Sequence, residues 1–497
     1  MFISSHEFRF FDYFRIPYEI ESQAGAGLPR QIGCLIPQGG DPATARRLFY
    51  FRPDATGWAA QRPGSVGSRF QVHGFTLVSR IFRGNAADLP GAVGRGWRVA
   101  GPVLSAAGRP VSAVWTDDQG NVFLPFDPAE TMQTLWSERY TRMGRAKVMR
   151  GVRAGLTRGY YAVRPLLPRT TQLRLRRAYA RRGPLPNFPR WPVEHSLHDM
   201  YEWLLELLAD LAGEPVPYIS IWPGNRAWAM VLTHDVETSD GLRDIELLRG
   251  PERVRGYRSS WNFVPERYFL PESLLRKLRD EACEIGVHGL RHDGRDLASR
   301  HSLAQRLPAM QAYAARWGAV GFRSPATQRS WKLMPLLGFD YDSSSTDTDP
   351  YEPQPGGCCT YLPFFNGPLA ELPITLPQDH TLFEILKVTD GQLWITKADA
   401  IRSRGGMVLA LAHPDYAANP VAAAAWDSLL TTFADDDTAW RALPSEVAAW
   451  WRRRSQSHLE RIDGHWSVAG PAAAEGSVVY AGEAARGDSP DETHRAG

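Results

Sequence analysis

Between residues 229 and 413 the chain alternates short apolar runs with helix-periodic stretches, and few folds accept that rhythm. Seven runs read as strands: AMVLTH (229–234), SSWNFV (259–264), EIGVHG (284–289), VGFRS (320–324), FDYDSS (339–344), ELPIT (371–375) and MVLALAH (407–413). Helix-like stretches such as PESLLRKLRDEACE and SLAQRLPAMQAYAARWG separate most of them. Strand then helix, repeated, predicts a parallel α/β sheet or barrel.

In such a fold the chemistry sits at the C-terminal ends of the strands. Here those ends carry the titratable residues. The first run leads into Asp235-Val236-Glu237, the third into His288 and His292, and the fourth into Arg323-Ser324-Pro325. The fifth carries Asp340 and Asp342, and the last ends in His413-Pro414-Asp415. Each signal has a bland reading when taken alone. An HxxxH pair is more often structural, Asp-x-Glu at a strand end caps the next helix, and a single histidine after an apolar strand is often a satisfied core residue. Their order on successive strand ends reverses that preference.

The set has the parts for metal-assisted hydrolysis. Two neutral imidazoles and a carboxylate make a three-ligand site with an open position, the usual arrangement for a catalytic divalent ion. A second carboxylate can take a proton from water, and a histidine across the site can give one to the leaving amine. A neighbouring arginine keeps the base ionised.

The order of an Asp motif, HxxxH, RxP and a distal strand ending in His resembles the NodB-like polysaccharide deacetylases, carbohydrate esterase family 4, over residues 225–453. That resemblance implies a distorted (β/α)7 barrel. It implies Asp235 as base, His288 and His292 as metal ligands, Arg323 as the residue orienting the base, and His413 as general acid. Leu411 would line the acyl pocket, and a backbone N–H just after Pro325 would hold the oxyanion. Three positions depart from the family pattern. Val236 stands where a second aspartate is common, so Glu237 is the expected carboxylate ligand, with an exchange of roles between Asp235 and Glu237 left open. Ala326 stands where an aromatic wall is frequent. The aspartate that tunes the acid histidine has two candidates, Asp342 and Asp379. The implied metal is Zn²⁺, although Co²⁺, Ni²⁺, Mn²⁺ and Fe²⁺ suit the same donors. The implied substrate is an acetylated carbohydrate, from which an N-acetyl group is removed. The alternatives are a small-amide hydrolase of the allantoinase kind and a glycan-binding barrel without turnover.

The rest of the chain carries no chemical motif. Residues 1–137 contain LFYF (48–51), FTLVSRIF (75–82) and VSAVWTDDQGNVFLPF (111–126), the last reading as two strands about a turn, and an α+β domain is expected. Residues 138–192 are read as a basic helical arm and linker, because 139–190 contain no Asp or Glu. Such an arm either makes peripheral contact with an anionic membrane or pairs with acidic patches of the protein. The barrel domain is drawn at 193–455, including the amphipathic helix HDMYEWLLELLADLAG, and 456–497 reads as a disordered tail. A net charge of +3 argues against a nucleic-acid partner. Four cysteines without CxxC spacing argue against a disulfide framework. The first residues lack a signal-peptide pattern and no run is long enough to span a bilayer, so a cytoplasmic location is expected, with the arm allowing attachment at the inner membrane face.

Overall fold

The computed structural model describes residues 1–38, 44–53, 68–142, 174, 177, 178 and 185–482. Most of the basic arm, and with it the expectation of membrane contact, lies outside the described residues. Arg177 is described: its Nε donates to the Glu384 carbonyl at 2.9 Å and its Nη2 lies 3.5 Å from the Glu384 carboxylate. Among the described residues no helix is long and apolar enough to cross a membrane.

The chain forms two compact units, one of Met1–Thr134, Ser196–Ile221 and Arg454–Gly497, the other of Leu135–His195 and Trp222–Arg453. In the first, nine strands among the described residues make a mixed sheet. They are β1 (Phe2–Ser4), β2 (Tyr18–Ile20), β3 (Ile32–Pro37), β4 (Leu48–Phe51) and β5 (Ser68–Val72), followed by β6 (Phe75–Ser79), β7 (Arg98–Ser105), β8 (Pro110–Thr116) and β9 (Val122–Leu124). Their spatial order is β2-β1-β3-β4-β9-β8-β7-β5-β6. The pair read from residues 111–126 is present as β8 and β9, antiparallel with Trp115 opposite Phe123.

Two boundaries differ from the sequence reading. The amphipathic helix Ser196–Ala212, assigned there to the barrel, packs on β6 and on β10 (Val216–Ile219) in the first unit. The segment read as a tail from residue 456 contains β20 (His458–Ile462), β21 (His465–Ala469) and β22 (Val478–Ala481). β20 and β21 form a hairpin about Asp463 and Gly464, at φ 49° and 85°. Asp-Gly is the pair that a two-residue turn with both φ angles positive selects. β22 pairs with β10.

The second unit holds the curled α/β sheet. Its strands are β11 (Trp228–Val236), β12 (Ser260–Phe263), β13 (Glu284–Val287), β14 (Gly321–Phe322), β15 (Tyr341–Asp342), β16 (Phe364–Asn366), β17 (Leu369–Glu371), β18 (Met407–Ala412) and β19 (Ala439–Arg441). The path runs β16-β17-β15-β14-β13-β12-β11-β18, with β19 beside β11, and every pairing except β16 with β17 is parallel. The two ends approach through the backbone N–H groups of Thr375 and Leu376, which donate to the Leu409 carbonyl at 3.1 and 3.2 Å. The expected strand at 371–375 is therefore split, with β17 ending at Glu371 and Ile374 making only an isolated bridge to Thr346.

Side-chain alternation along these strands decides which residues can do chemistry. Trp228, Met230, Leu232 and Val236 of β11 join Trp261, Phe263, Ile285, Val287, Phe322, Val408, Ala410 and Ala412 in one apolar core beneath the helices. The intervening positions face the other way, and they include Thr233, Asp235, Asn262, Gly286, Leu411 and, just past the strand ends, His288, Arg323 and His413. His234 shares the parity of the core. Its Nε2 meets Glu252 at 2.6 Å and its ring lies 4.1 Å from that of Trp261, so it is a buried structural histidine.

Candidate metal and catalytic site

Three of the predicted residues converge on one point. A ligand atom from each of Glu237, His288 and His292 lies within 4.8 Å of the others. Glu237 Oε1 is 2.9 Å from His292 Nε2 and 4.0 Å from His288 Nε2. His288 Nδ1 donates to the Arg323 carbonyl at 3.1 Å, which sets the tautomer and leaves the lone pair of Nε2 free. That Nε2 is buried and has no hydrogen-bond partner among the described residues. An orphaned, correctly tautomerised imidazole nitrogen facing a carboxylate and a second imidazole is what a divalent cation requires, so the residues present fit a metal. Burial pushes the Glu237 carboxyl up, but the imidazoles of His292, His288 and His413 outweigh it and hold the group well below the usual carboxylate range.

Asp235 flanks this cluster and is almost fully buried. Its Oδ1 accepts from Asn262 Nδ2 at 2.9 Å and from Arg323 Nη1 at 3.3 Å, while Oδ2 lies 3.8 Å from His288 Nε2. Burial again works against ionisation. His288, Arg323, His413 and the Asn262 hydrogen bond prevail, and Asp235 stays below its ordinary pKa. Arg323 is itself fixed by Ser343, through the carbonyl and the hydroxyl at 2.7 Å each, and by Thr233 Oγ1 at 2.9 Å.

His413 faces the cluster from β18, with Nε2 3.9 Å from Glu237 Oε1. Its Nδ1 donates to Asp379 Oδ1 at 2.6 Å. Of the two sequence candidates, Asp379 is thus the aspartate paired with His413. Asp342, the other sequence candidate, does not take that place: it is fully buried and accepts from the Ser344 N–H and hydroxyl at 2.7 Å each. Burial lifts the Asp342 pKa to about 6. Leu411 is buried on β18, in register with Thr233. Pro325 is buried and Ala326 partly exposed, in a tight turn where Ala326 has φ 53° and Thr327 φ 48°.

Sequence reasoning missed Asn262 and Tyr268, and it placed Asp415 at the last strand end without giving it a role. Tyr268 accepts from the Val264 N–H at 3.0 Å and donates to the Val236 carbonyl at 2.5 Å, pinning the strand end that presents Glu237. Asp415 accepts from the Glu237 N–H at 3.1 Å and from the Thr238 hydroxyl. Asn262 carried a legible signal, a polar residue at the inward parity between the core residues Trp261 and Phe263.

No family model matches the sequence, and no curated protein matches it either. Among solved structures, the chain is similar to a protein of Mycobacterium smegmatis assigned as a polysaccharide deacetylase, at 21% identity over 46% of this chain and 92% of that one, TM-score 0.39. It is similar to another so assigned from Pseudomonas aeruginosa PAO1, at 18% over 50% and 97%, TM-score 0.38. An allantoinase is similar at 16% over 46% and 92%, TM-score 0.39. These likenesses reach about half of this chain, and the chemistry rests on the side-chain geometry above.

Proposed function

We propose that the second unit is a metal-dependent hydrolase that removes an N-acetyl group from a sugar or a polysaccharide precursor. The carrying observation is the arrangement of three groups: the buried Asp235 carboxylate and the His413–Asp379 pair both face the cluster of Glu237, His288 and His292. Glu237, His288 and His292 would hold the ion, with Zn²⁺ the best match and Co²⁺, Ni²⁺, Mn²⁺ and Fe²⁺ compatible. When bound, the ion supplies an activated water and polarises the acyl carbonyl.

The protein's own groups supply the proton movements. Asp235, kept ionised by Arg323, takes a proton from the attacking water as its oxygen joins the carbonyl carbon. Arg323 and Asn262 aim that carboxylate by occupying Oδ1, which leaves Oδ2 for the proton. Burial disfavours the charged form of His413, but Asp379, Glu237 and Asp235 raise its pKa to about 10, so the ring is protonated at neutral pH. Its Nε2–H is then available to the leaving nitrogen as the C–N bond breaks, giving a free amine and a carboxylate. Leu411 would bound the acyl methyl group, and a backbone N–H after Pro325 would stabilise the oxyanion.

Acetate release from N-acetylated chitooligosaccharides and other acetylated amino sugars tests this reading, with wild type beside Asp235→Asn and with chelator. Release that depends on both the metal and Asp235 supports it. Turnover of allantoin-like amides alone would change the substrate class, and glycan binding without release would make the unit a binding scaffold.

A further inference from the structure

Resting on the hydrolase reading above, we propose that Glu352 is a positioning residue that ties the turn after Pro325 to the segment carrying Asp379. It thereby holds the oxyanion side and the proton-donor side of the site in register. Glu352 is buried, and its two carboxylate oxygens serve opposite partners. Oε2 accepts from Thr327 Oγ1 at 3.3 Å. Oε1 accepts from Gln378 Nε2 at 2.9 Å and from Thr381 Oγ1 at 3.3 Å. Gln378 directly precedes Asp379. Thr381 lies in the first turn of His380–Leu386, whose N-cap is Asp379.

The turn needs such a hold. Ala326 and Thr327 are consecutive non-glycine residues at positive φ, a conformation that persists only where the surroundings over-determine it. Glu352 takes the Thr327 hydroxyl, and Arg329 Nη1 takes the Thr327 carbonyl at 2.9 Å. Arg329 is gripped in turn by the same loop, its N–H donating to Gln354 Oε1 and its Nη2 to the Gln354 carbonyl, each at 3.0 Å. A carboxylate suits this place because it offers two acceptors on diverging sides. An apolar side chain of similar volume would fill the space and leave Thr327, Gln378 and Thr381 without their shared acceptor.

The test uses the whole 497-residue chain as purified, with Glu352→Ala, Glu352→Gln, Thr327→Val and the Glu352→Ala/Thr327→Val pair. Acetate release, thermal unfolding and the downfield proton NMR signal of the His413 Nδ1–H are read for each. Glu352→Ala is expected to lower kcat about 10-fold or more while KM stays within about 3-fold. Glu352→Gln keeps an acceptor towards Gln378, and the Thr327 hydroxyl can rotate to accept from its amide, so kcat returns to within about 3-fold of wild type. The double variant is expected to lose less than the sum of the single effects, because both remove one link. A wild-type kcat in Glu352→Ala, a Glu352→Gln as impaired as Glu352→Ala, or additive losses overturns the proposal. If Glu352→Ala does not fold, Thr327→Val decides: a lowered kcat at unchanged KM supports the link, and a wild-type kcat overturns it. If the wild type releases no acetate, the hydrolase reading fails, and the NMR signal judges Glu352 separately. A His413 signal shifted or lost in Glu352→Ala supports the link, and an unchanged one overturns it.

Discussion

Asp379 holds His413 at two points: Oδ1 lies 2.6 Å from the ring Nδ1 and Oδ2 lies 2.6 Å from the backbone N–H. One carboxylate therefore sets both the position of the residue at the end of β18 and the tautomer of its ring, and it leaves Nε2 facing Glu237 at 3.9 Å.

Asp379→Asn should separate these roles from folding. The folded pKa of His413, about 10, lies above the ordinary 6.5, because Asp379 and the other carboxylates outweigh burial. The stability from this pair is thus fully present below pH 6.5 and lost as pH rises through about 10. Asp379→Asn should be destabilised by about 3 kcal/mol near pH 6, with the difference from wild type shrinking above pH 9. Denaturant unfolding at several pH values checks this. In the same variant the alkaline limb of kcat should move down towards the ordinary imidazole range.

Asp235→Asn should leave the fold intact, because Arg323 keeps Ser343 and Thr233 as partners. Acetate release should fall by about 10²- to 10⁴-fold through loss of the base. Since the Asp235 pKa is depressed, its ionised form is present above the ordinary carboxylate value and is lost only as pH falls through the lower folded value. The wild-type acid limb should therefore lie below about pH 4 as far as Asp235 sets it. A pH–rate profile reads both effects.

Asn262 sets the aim of Asp235, and Gly286 makes room for Asn262. A Cβ on Gly286 would stand 1.9 Å from Asn262 Oδ1. Gly286→Ala should push the amide off Asp235 and lower kcat about 10-fold, with metal content unchanged. Asn262→Asp places a second carboxylate against Asp235, so the acid limb of the pH profile should rise by about one unit or more. Steady-state kinetics with metal analysis would show whether the two effects part in this way.

His234 adjoins Asp235 in sequence but faces the other side of β11. Its partner Glu252 is fully buried and also accepts from Ser259 Oγ at 2.6 Å. Glu252→Ala removes the buried partner of His234, while Arg249 keeps Glu281 at 2.7 Å, and should cost about 3 kcal/mol. The folded fraction that remains should retain its metal, measurable by calorimetry and metal analysis.

Much of the site was legible because its residues stand at the ends of strands whose apolar runs announce themselves. Asp235, Glu237, His288, His292, Arg323 and His413 are of that kind. Residues that act from loops were harder to place. Asp379 and Glu352 sit in irregular chain, where no periodicity says which neighbour a side chain will meet, and only the folded path brings 379 beside 413. Asp342, expected as part of the strand-end chemistry, belongs instead to a polar run to Asp349 that is folded inward, each residue buried. Alternation along β11 separates His234 from Asp235, but it cannot show which face is inward until the core is known. The C-terminal hairpin was misread because its polar composition hid an Asp-Gly turn signal between two alternating runs.

Glu237, His288 and His292 are expected to form one metal centre. Metal content by mass spectrometry, with wild type beside His288→Ala/His292→Ala, reads this. About one divalent ion per chain in the wild type, lost in the double variant while the protein stays folded, is the expected result. A wild type that takes up no ion even after incubation with Zn²⁺, or a double variant that still holds one, would contradict it.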